Sequence, residues 1–421
     1  CGATLAAGAS CDIEVQYNPS ALGALADIIV INYNDGAAAQ VLNHNVQGTS
    51  VAPALLTITD SDPYDYGSLA VGSSANRTFT ISNTGGVSAT AIAETGIAAP
   101  FTYFGGAYPG TGGTCGASIT AGGSCDIVVE FAPAGTGLLT DTIDVGYFNG
   151  VSTVSSTRDV QGTGLAPAVL AISELDPYNY GTNPTGSVTQ HIFVVTNTGG
   201  ATATGMAGSG LASPYRFEGS SYPGTTGTCG VSLASGASCN IVVEYAPVAV
   251  LGTDTDTILI DYNNGASAQQ STRDLTAVSV SPATLTISDS DPYNYGTLAT
   301  GSTATRTFTI TNTGGFQASA MVESGIAAPY TYTGGSYPGT AGTCAGTLAG
   351  SGTTCTIEVQ YSPSTIATHN DTISFAYNDG VAVQAVTRDV TGVGVAPATI
   401  TITEADPYDY GTVAVGATSN H

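Results

Sequence analysis

The chain has 421 residues, of which 55 are glycine and none is tryptophan. Its 31 acidic residues far outnumber its six basic residues, which are all arginine, and the formal net charge at pH 7 is −25. A surface this acidic excludes binding to nucleic acid or to anionic lipid through a basic patch, and it attracts divalent cations.

One motif recurs along the whole sequence, so the chain is a tandem array of one module. The first cysteine of this Gly-rich motif falls at Cys1, Cys115, Cys229 and Cys344, with intervals of 114, 114 and 115 residues. A period this long corresponds to an independent domain and not to a solenoid turn.

The period predicts three complete modules and two partial ones. They span residues 1–50 (C-terminal part of a module), 51–164, 165–279, 280–394, and 395–421 (N-terminal part of a further module). Because both ends fall inside a module, we expect the chain to be a segment of a longer polypeptide.

Each module begins with a short strand and an acidic turn, such as ATLTIS at 283–288 followed by DSDPYNYG. Oxygen ligands at alternate positions of a turn suit calcium. The same residues are also ordinary turn formers that hydrogen-bond their own backbone. Both interpretations stay open. The calcium candidates are Asp60, Asp62, Asp65, Glu174, Asp176, Asp289, Asp291, Glu404, Asp406 and Asp409.

A longer alternating strand follows the turn and ends at the sequence NTGG. A basic residue lies six positions before its asparagine in each complete module, as Arg77, His191 and Arg306. This recurrence predicts an ion pair at the end of the strand.

The next segment is a tyrosine-rich loop, for which two roles are open. Its tyrosines could cap the open end of a β-sandwich and pack on the next module, or they could form an exposed surface that binds a glycan or another chain. The candidate interface residues are Tyr103, Tyr108, Tyr215, Tyr222, Tyr330, Tyr332 and Tyr337.

The cysteines come in regularly placed pairs, which predicts disulfides and an oxidising compartment. Zinc would need four ligands, and no histidine lies at a recurring distance from the pairs. The second cysteine of each pair opens a segment that alternates as a half-buried strand does, for example Cys355, Ile357, Val359 and Tyr361. The predicted pairs are Cys1 with Cys11, Cys115 with Cys125, Cys229 with Cys239, and Cys344 with Cys355.

A hairpin closes each module, because two strand-like segments flank the Asn-Gly or Asp-Gly turns at Tyr33, Phe148, Tyr262 and Tyr377. A short Gly-Pro connector, such as QGTGLAPAVL at 161–170, then leads into the next module. No window has a sustained helical period. We therefore predict an all-β chain of tandem immunoglobulin-like antiparallel β-sandwiches, with about seven or eight strands and one disulfide each.

These segments carry a resemblance to a known family. The series DYGSLAVGSSANRTFTISNTGG, CGASITAGGSCDIVVEFAPAGTG and VQGTG resembles the abnormal-spindle/Hydin type domain, and more closely its bacterial secreted version in choice-of-anchor D proteins. The resemblance implies immunoglobulin-like sandwiches in surface or secreted architecture.

The sequence contains no GxSxG or HExxH motif, and its four histidines occupy non-equivalent positions, so we predict that the chain is not an enzyme. We expect a structural segment of a secreted or cell-surface bacterial fibre, stalk or adhesin. Its partners would be neighbouring modules and other copies, without nucleic acid and without membrane insertion. The alternative is a multivalent protein whose tyrosine loops hold a glycan or a host surface.

Overall fold

The computed structural model describes residues 1–249 and 252–420; His421, one of the four histidines, lies outside them. The described residues form 28 strands, two 3-10 turns at Glu218–Ser220 and Thr333–Gly335, and no α-helix. The strands of the partial module at residues 1–50 are β1 (Gly23–Asn34) and β2 (Ala39–Ser50). Those of the first complete module are β3 (Leu56–Ile58), β4 (Tyr64–Ala70), β5 (Ala75–Asn83), β6 (Ala89–Thr95), β7 (Phe101–Tyr103), β8 (Ser118–Ile119), β9 (Ser124–Phe131), β10 (Gly137–Phe148) and β11 (Thr153–Leu165).

The other two complete modules repeat this order. The strands of the second module are β12 (Leu170–Ile172), β13 (Tyr178–Pro184), β14 (Thr189–Asn197), β15 (Ala203–Ser209), β16 (Tyr215–Phe217), β17 (Ser232–Leu233), β18 (Ser238–Tyr245), β19 (Gly252–Asn263) and β20 (Ala268–Val280). Those of the third module are β21 (Leu285–Ile287), β22 (Tyr293–Ala299), β23 (Ala304–Asn312), β24 (Ser319–Ser324), β25 (Tyr330–Tyr332), β26 (Thr353–Tyr361), β27 (Thr368–Asn378) and β28 (Val383–Val395).

Each complete module is a sandwich of two sheets, as predicted. In the first module the sheet orders are β3-β5-β9-β7 and β4-β11-β10-β6-β8. Two details differ from the prediction. The pair of β4 and β11 is parallel, because the acidic turn returns the chain beside the last strand. The described residues give nine strands in each of the first two modules and eight in the third, since a two-residue strand joins the edge of the five-stranded sheet.

The core lies between the two sheets and follows the predicted alternation. Phe79 and Ile81 of β5 face Ile143 and Val145 of β10, and all four are fully buried. Burying a side chain of this size stabilises a fold by roughly 1.5–3 kcal/mol. The inner faces of the two sheets therefore hold each module together.

Tyrosine hydroxyls tie the two sheets across this core. Tyr66, at the end of the DPYDYG motif, donates to the carbonyl oxygen of Val129 in the opposite sheet at 2.9 Å. Tyr147, next to the hairpin turn, accepts from the backbone N–H of Leu56 at 3.1 Å. The other complete modules repeat both bonds, which explains why these tyrosines recur with the period.

The four predicted disulfides are present, and the described residues contain no free cysteine. The two Cα atoms of each pair lie 4.8 or 4.9 Å apart. In the complete modules each bond anchors the loop after the tyrosine segment to the strand that begins at the second cysteine.

The strand predicted at residues 11–17 is wrong for the partial module. This segment is not in a strand, and Ile13, Val15 and Tyr17 are about half exposed, at 49%, 52% and 51%. In the complete modules the equivalent strand pairs with the strand that ends at NTGG, as β9 does with β5. Residues 1–50 contain no such partner strand. The Asp12 carbonyl accepts from the Cys1 amino group at 3.1 Å, and the Tyr17 ring lies against Gly48, but no strand pairs with the segment.

Candidate functional site

The acidic turns are the first recurring polar cluster. Asp60 and Arg77 form a two-pronged ion pair, with Nη2 to Oδ1 at 2.8 Å and Nε to Oδ2 at 2.9 Å. The Arg77 guanidinium also lies 5.2 Å from the ring centre of Tyr64. The third module repeats the pair with Asp289 and Arg306, as predicted for the strand end. In the second module the pair is Glu174 with His191, at 3.5 Å.

The other acidic positions face different partners. Asp62 accepts from the backbone N–H of Asp159 at 3.0 Å, and Asp65 accepts from Gly67 at 2.7 Å and from the Gln161 side chain at 3.1 Å. Asp176 and Asp291 repeat the bond of Asp62. In the final partial module Asp409 accepts from Gly411, and Glu404 and Asp406 lie on the exposed surface.

The calcium hypothesis therefore gains no support from this geometry, because the carboxylates point to separate partners. Across the residues that the structure describes, no group of three or more His, Cys, Asp or Glu side chains is arranged to hold a metal ion. The hydrogen bond from Arg306 is the largest cause that holds the pKa of Asp289 below its usual value. The turns act in this structure as ion pairs and backbone caps.

The candidate tyrosines lie within their own modules. Tyr103, Tyr215, Tyr330 and Tyr332 are buried, with 0–7% of each residue exposed. Their neighbours Tyr108, Tyr222 and Tyr337 are half-buried. Each packs edge-to-face against the last residue of the preceding strand, at centroid distances of 5.3–5.6 Å; these residues are Tyr103 of β7, Phe217 of β16 and Tyr332 of β25. The tyrosine loops therefore pack on their own core, and Tyr215 and Tyr222 in addition line a pocket of the second module.

A carboxylate lies beside these rings in two modules. Burial raises the pKa of the Tyr103 and Tyr108 hydroxyls, and the negative charge of Glu94 raises both further. Glu323 has the same effect on Tyr332 and Tyr337. In the second module Gly208 occupies this position, and burial alone raises the pKa of Tyr222.

The joints between modules are the second recurring site. The carbonyl of Leu165 accepts from Val71 of the first module at 2.8 Å. The next residue, Ala166, accepts through its carbonyl from Gly200 and Ala201 of the second module at 3.0 and 2.8 Å. Val280 and Ser281 make the corresponding bonds at the next joint. Consecutive residues are thus bonded to consecutive modules, and no free linker separates them.

The tip of the last hairpin also contacts the preceding module. A Cβ placed on Gly265 would lie 2.7 Å from the Cβ of Ala70, which belongs to the end of β4. At the next joint a Cβ on Gly380 would lie 2.6 Å from Cγ of Pro184. Both glycines have a positive φ, at +98° and +96°. The Asn-Gly and Asp-Gly turns therefore serve the hairpin and a close approach between modules.

Comparison with known proteins gives one family match, which lies within the third complete module. Residues 286–392 match the family model "HYDIN/CFA65/VesB-like, Ig-like domain". No curated protein matches the chain. Among solved structures, titin domains I67–I69 in an E-to-A mutated variant are 13% identical, with 83% of this chain and 100% of that chain covered and a TM-score of 0.30.

Two further solved structures are similar to about a quarter of this chain. The VesB protease of Vibrio cholerae is 17% identical over 26% of this chain and 31% of its own, with a TM-score of 0.22. The ASH/PapD-like domain 7 of human CEP192 is 15% identical over 27% of this chain and 87% of its own, with a TM-score of 0.20.

The structure contains one cluster that the sequence analysis missed. It lies around Gly208 and Arg216 in the second module only, whereas the sequence analysis singled out only features that recur. Aligning the three modules position by position would have revealed it.

None of the helical segments among the described residues has the length and apolar character to cross a membrane.

Proposed function

We propose that the chain is a load-bearing or spacing segment of a secreted or cell-surface bacterial fibre, stalk or adhesin. The observation that carries this proposal is the joint, where Leu165 and Ala166 are hydrogen-bonded to successive modules without a free residue between them. A chain of domains joined in this way transmits orientation from one module to the next, whereas a free linker would not.

The burial of the joint residues supports the same role. Ala70 is 5% exposed and Pro184 is buried where the next module's hairpin covers them, whereas the equivalent Ala299 is half-buried. The hairpin of the following module thus lies against the ends of β4 and β13.

The disulfides support a location outside the cell, because such bonds persist in oxidising compartments. The net charge of −25 favours solubility of the chain. We infer that the modules are not catalytic, since their recurring charged side chains are engaged in ion pairs and backbone caps.

The alternative of a multivalent binder that uses its tyrosine loops is less well supported, because Tyr103, Tyr330 and Tyr332 are buried in their own modules. We also propose that other copies of the chain are its partners.

Small-angle X-ray scattering on the chain tests the proposal. Strands of 12 or 13 residues make each module about 40 Å long. Three complete modules joined without free linkers should then give a maximum dimension of at least about 120 Å and the scattering of a stiff rod. A broad distribution of dimensions, typical of freely jointed domains, would contradict the proposal.

A further inference from the structure

A pocket in the second module differs from the repeated scaffold. It lies between the end of β15 and the segment of β16 with its following turn, and its volume is about 470 Å³. We call it the serine pocket, lined among others by Gly208, Ser209, Ser213, Ser220 and Tyr222. Small-molecule sites are typically concave, with volumes of roughly 300–1,000 Å³.

The other modules provide a reference for each position of the serine pocket. Gly208 replaces Glu94 and Glu323, so the second module has no side chain where they have a carboxylate. Ser213 replaces Ala99 and Ala328, and Ser220 replaces Gly106 and Gly335. The first change removes a carboxylate, and the rings of Tyr222 and Phe217 take its space, since a Cβ on Gly208 would lie 2.1 Å from Cδ2 of Tyr222 and 2.8 Å from Cζ of Phe217. The other two changes add hydroxyl groups to the wall of the pocket.

Ser220 bears a conformational cost that its counterparts avoid. Its φ is +66°, in the left-handed region, and the equivalent Gly106 and Gly335 have φ values of +89° and +83°. A side chain in this region is strained, whereas glycine is not. Strain of this kind concentrates at binding and catalytic sites. Ala91, Ala320 and Ser351 also have a positive φ, so what is particular to Ser220 is that its hydroxyl lies on the wall of a pocket.

Tyr222 and Phe217 form the aromatic side of the serine pocket. The Tyr222 hydroxyl is buried without a hydrogen-bond partner, as are the hydroxyls of Tyr108 and Tyr337 in the other modules. Because burial raises its pKa, the Tyr222 hydroxyl is a neutral donor at physiological pH. The ring of Tyr222 packs edge-to-face on Phe217, with the ring centres 5.6 Å apart.

The one arginine of the pocket is already neutralised. Arg216 binds the buried carboxylate of Glu244, with Nη2 to Oε2 and Nε to Oε2 both at 2.7 Å. Gln190 completes the cluster by donating to Glu244 at 2.8 Å. An anionic ligand would therefore meet a paired guanidinium in a chain of net charge −25, which disfavours it.

We propose that the serine pocket binds a neutral saccharide unit of one or two rings. Sugar hydroxyls both donate and accept, and so match the hydroxyls of Ser213 and Ser220. The apolar C–H face of a sugar ring packs on aromatic edges such as those of Tyr222 and Phe217. This proposal is independent of the structural role above, because a rod segment can function with or without a sugar site.

Ligand-observed NMR with the full chain tests the proposal. The probes are glucose, galactose, mannose, N-acetylglucosamine, maltose, lactose and glucuronate. We expect at least one neutral sugar to bind at micromolar to millimolar concentrations, and more tightly than glucuronate. If no neutral sugar binds, or if glucuronate binds best, the proposal is wrong.

The site is assigned with variants taken from the chain's own repeats. Ser213→Ala combined with Ser220→Gly installs the residues of the first and third modules, so the variant should fold with an unchanged or higher Tm. We expect it to lose about tenfold or more in affinity. The matched control, Gly106→Ser in the first module, introduces the same backbone strain without the pocket and should leave binding unchanged. Equal affinity of the double variant and the parent chain would overturn the assignment.

Discussion

At the scale of single residues, buried polar side chains organise the modules more than their surface charges do. Asn83, the asparagine of the NTGG sequence, is 1% exposed. Its Nδ2 donates to the carbonyls of Val87 and Ile119 at 2.9 and 3.1 Å, and its Oδ1 accepts from Leu55 and Gly85 at 3.2 and 3.0 Å. Asn197 and Asn312 repeat this arrangement. The asparagine thus joins the first strand, the turn and the loop before the second cysteine.

Asn312→Ala should therefore destabilise the third module by about 3 kcal/mol, because several buried backbone groups would lose their partners. Chemical denaturation followed by tyrosine fluorescence measures the effect. Asn312→Asp should also be destabilising, since a carboxylate cannot donate to Phe316 and Leu348. If the aspartate variant is as stable as the parent chain, the amide donor is not what the site requires.

The ion pair of Asp289 and Arg306 makes the third module sensitive to acid. The pKa of Asp289 is lowered in the folded state, so its contribution is fully present above the ordinary value of 3.8 and is lost as the pH falls through the lower, folded pKa. We expect the Tm of the parent chain and of Asp289→Asn to differ near pH 6 and to converge only as the pH falls well below 3.8. Arg306→Gln should remove the same pH-dependent stabilisation. A difference in Tm between the parent chain and the variants that persists unchanged in acid would contradict this account.

At the scale of elements, the glycine at the tip of the last hairpin both closes the turn and allows contact with the preceding module. Gly265 closes the turn with a positive φ and comes close to Ala70 of the preceding module. Gly36, in the partial module, has the same φ of +98° but no neighbour within 4 Å. Gly36 therefore meets only the need for a positive φ in the turn. Gly265 meets that need and also allows the close approach to Ala70.

Gly36→Ala and Gly265→Ala separate these two requirements. Both substitutions place a side chain in the left-handed region, at a cost of about 1–2 kcal/mol each. Gly265→Ala should in addition push the hairpin away from Ala70, loosen the joint and shift the scattering profile towards that of a bent or flexible chain. Scattering from Gly36→Ala should be unchanged. Identical profiles for the two variants would show that the hairpin contact does not fix the joint.

The stabilisation that a disulfide gives its module can be measured by comparing two variants, each lacking one disulfide. Replacing Cys229 and Cys239 with serine opens a loop of sequence separation 10 and should cost the second module about 3 kcal/mol. The control pair is Cys1 and Cys11, which joins a segment without strand partners. Its replacement should leave the unfolding of the three complete modules unchanged. An equal loss of stability in both variants, measured by denaturation, would contradict this assignment.

At the scale of the whole molecule, repetition supplies length, and divergence in one copy supplies a distinct site. The joints at Leu165 and Val280 use the same bonds, so the array repeats one geometry. The second module departs from the repeat at Gly208, Ser213 and Ser220. A sugar site on one module and a stiff array of all modules are compatible roles for one extracellular segment.

A variant that carries the residues of the first and third modules at the serine pocket tests whether the pocket and the rod are independent. The variant Ser213→Ala with Ser220→Gly should keep the maximum dimension of the parent chain, because neither residue lies at a joint. Small-angle X-ray scattering on parent and variant measures this directly. A shorter or more flexible variant would show that the serine pocket contributes to the rod itself.

The sequence by itself determined the features that repeat. Alternation in the segment after each second cysteine predicts the buried faces of β9, β18 and β26, and paired cysteines at one place in every module predict the disulfides, because both signals are local and recur with the period. Only the tertiary structure decided what distant segments do together. It paired the final strand with β4 in parallel, placed the tyrosines in the core, brought Gly265 to Ala70 and left a pocket beside Gly208. These outcomes depend on contacts between residues far apart in sequence, which a local pattern does not encode.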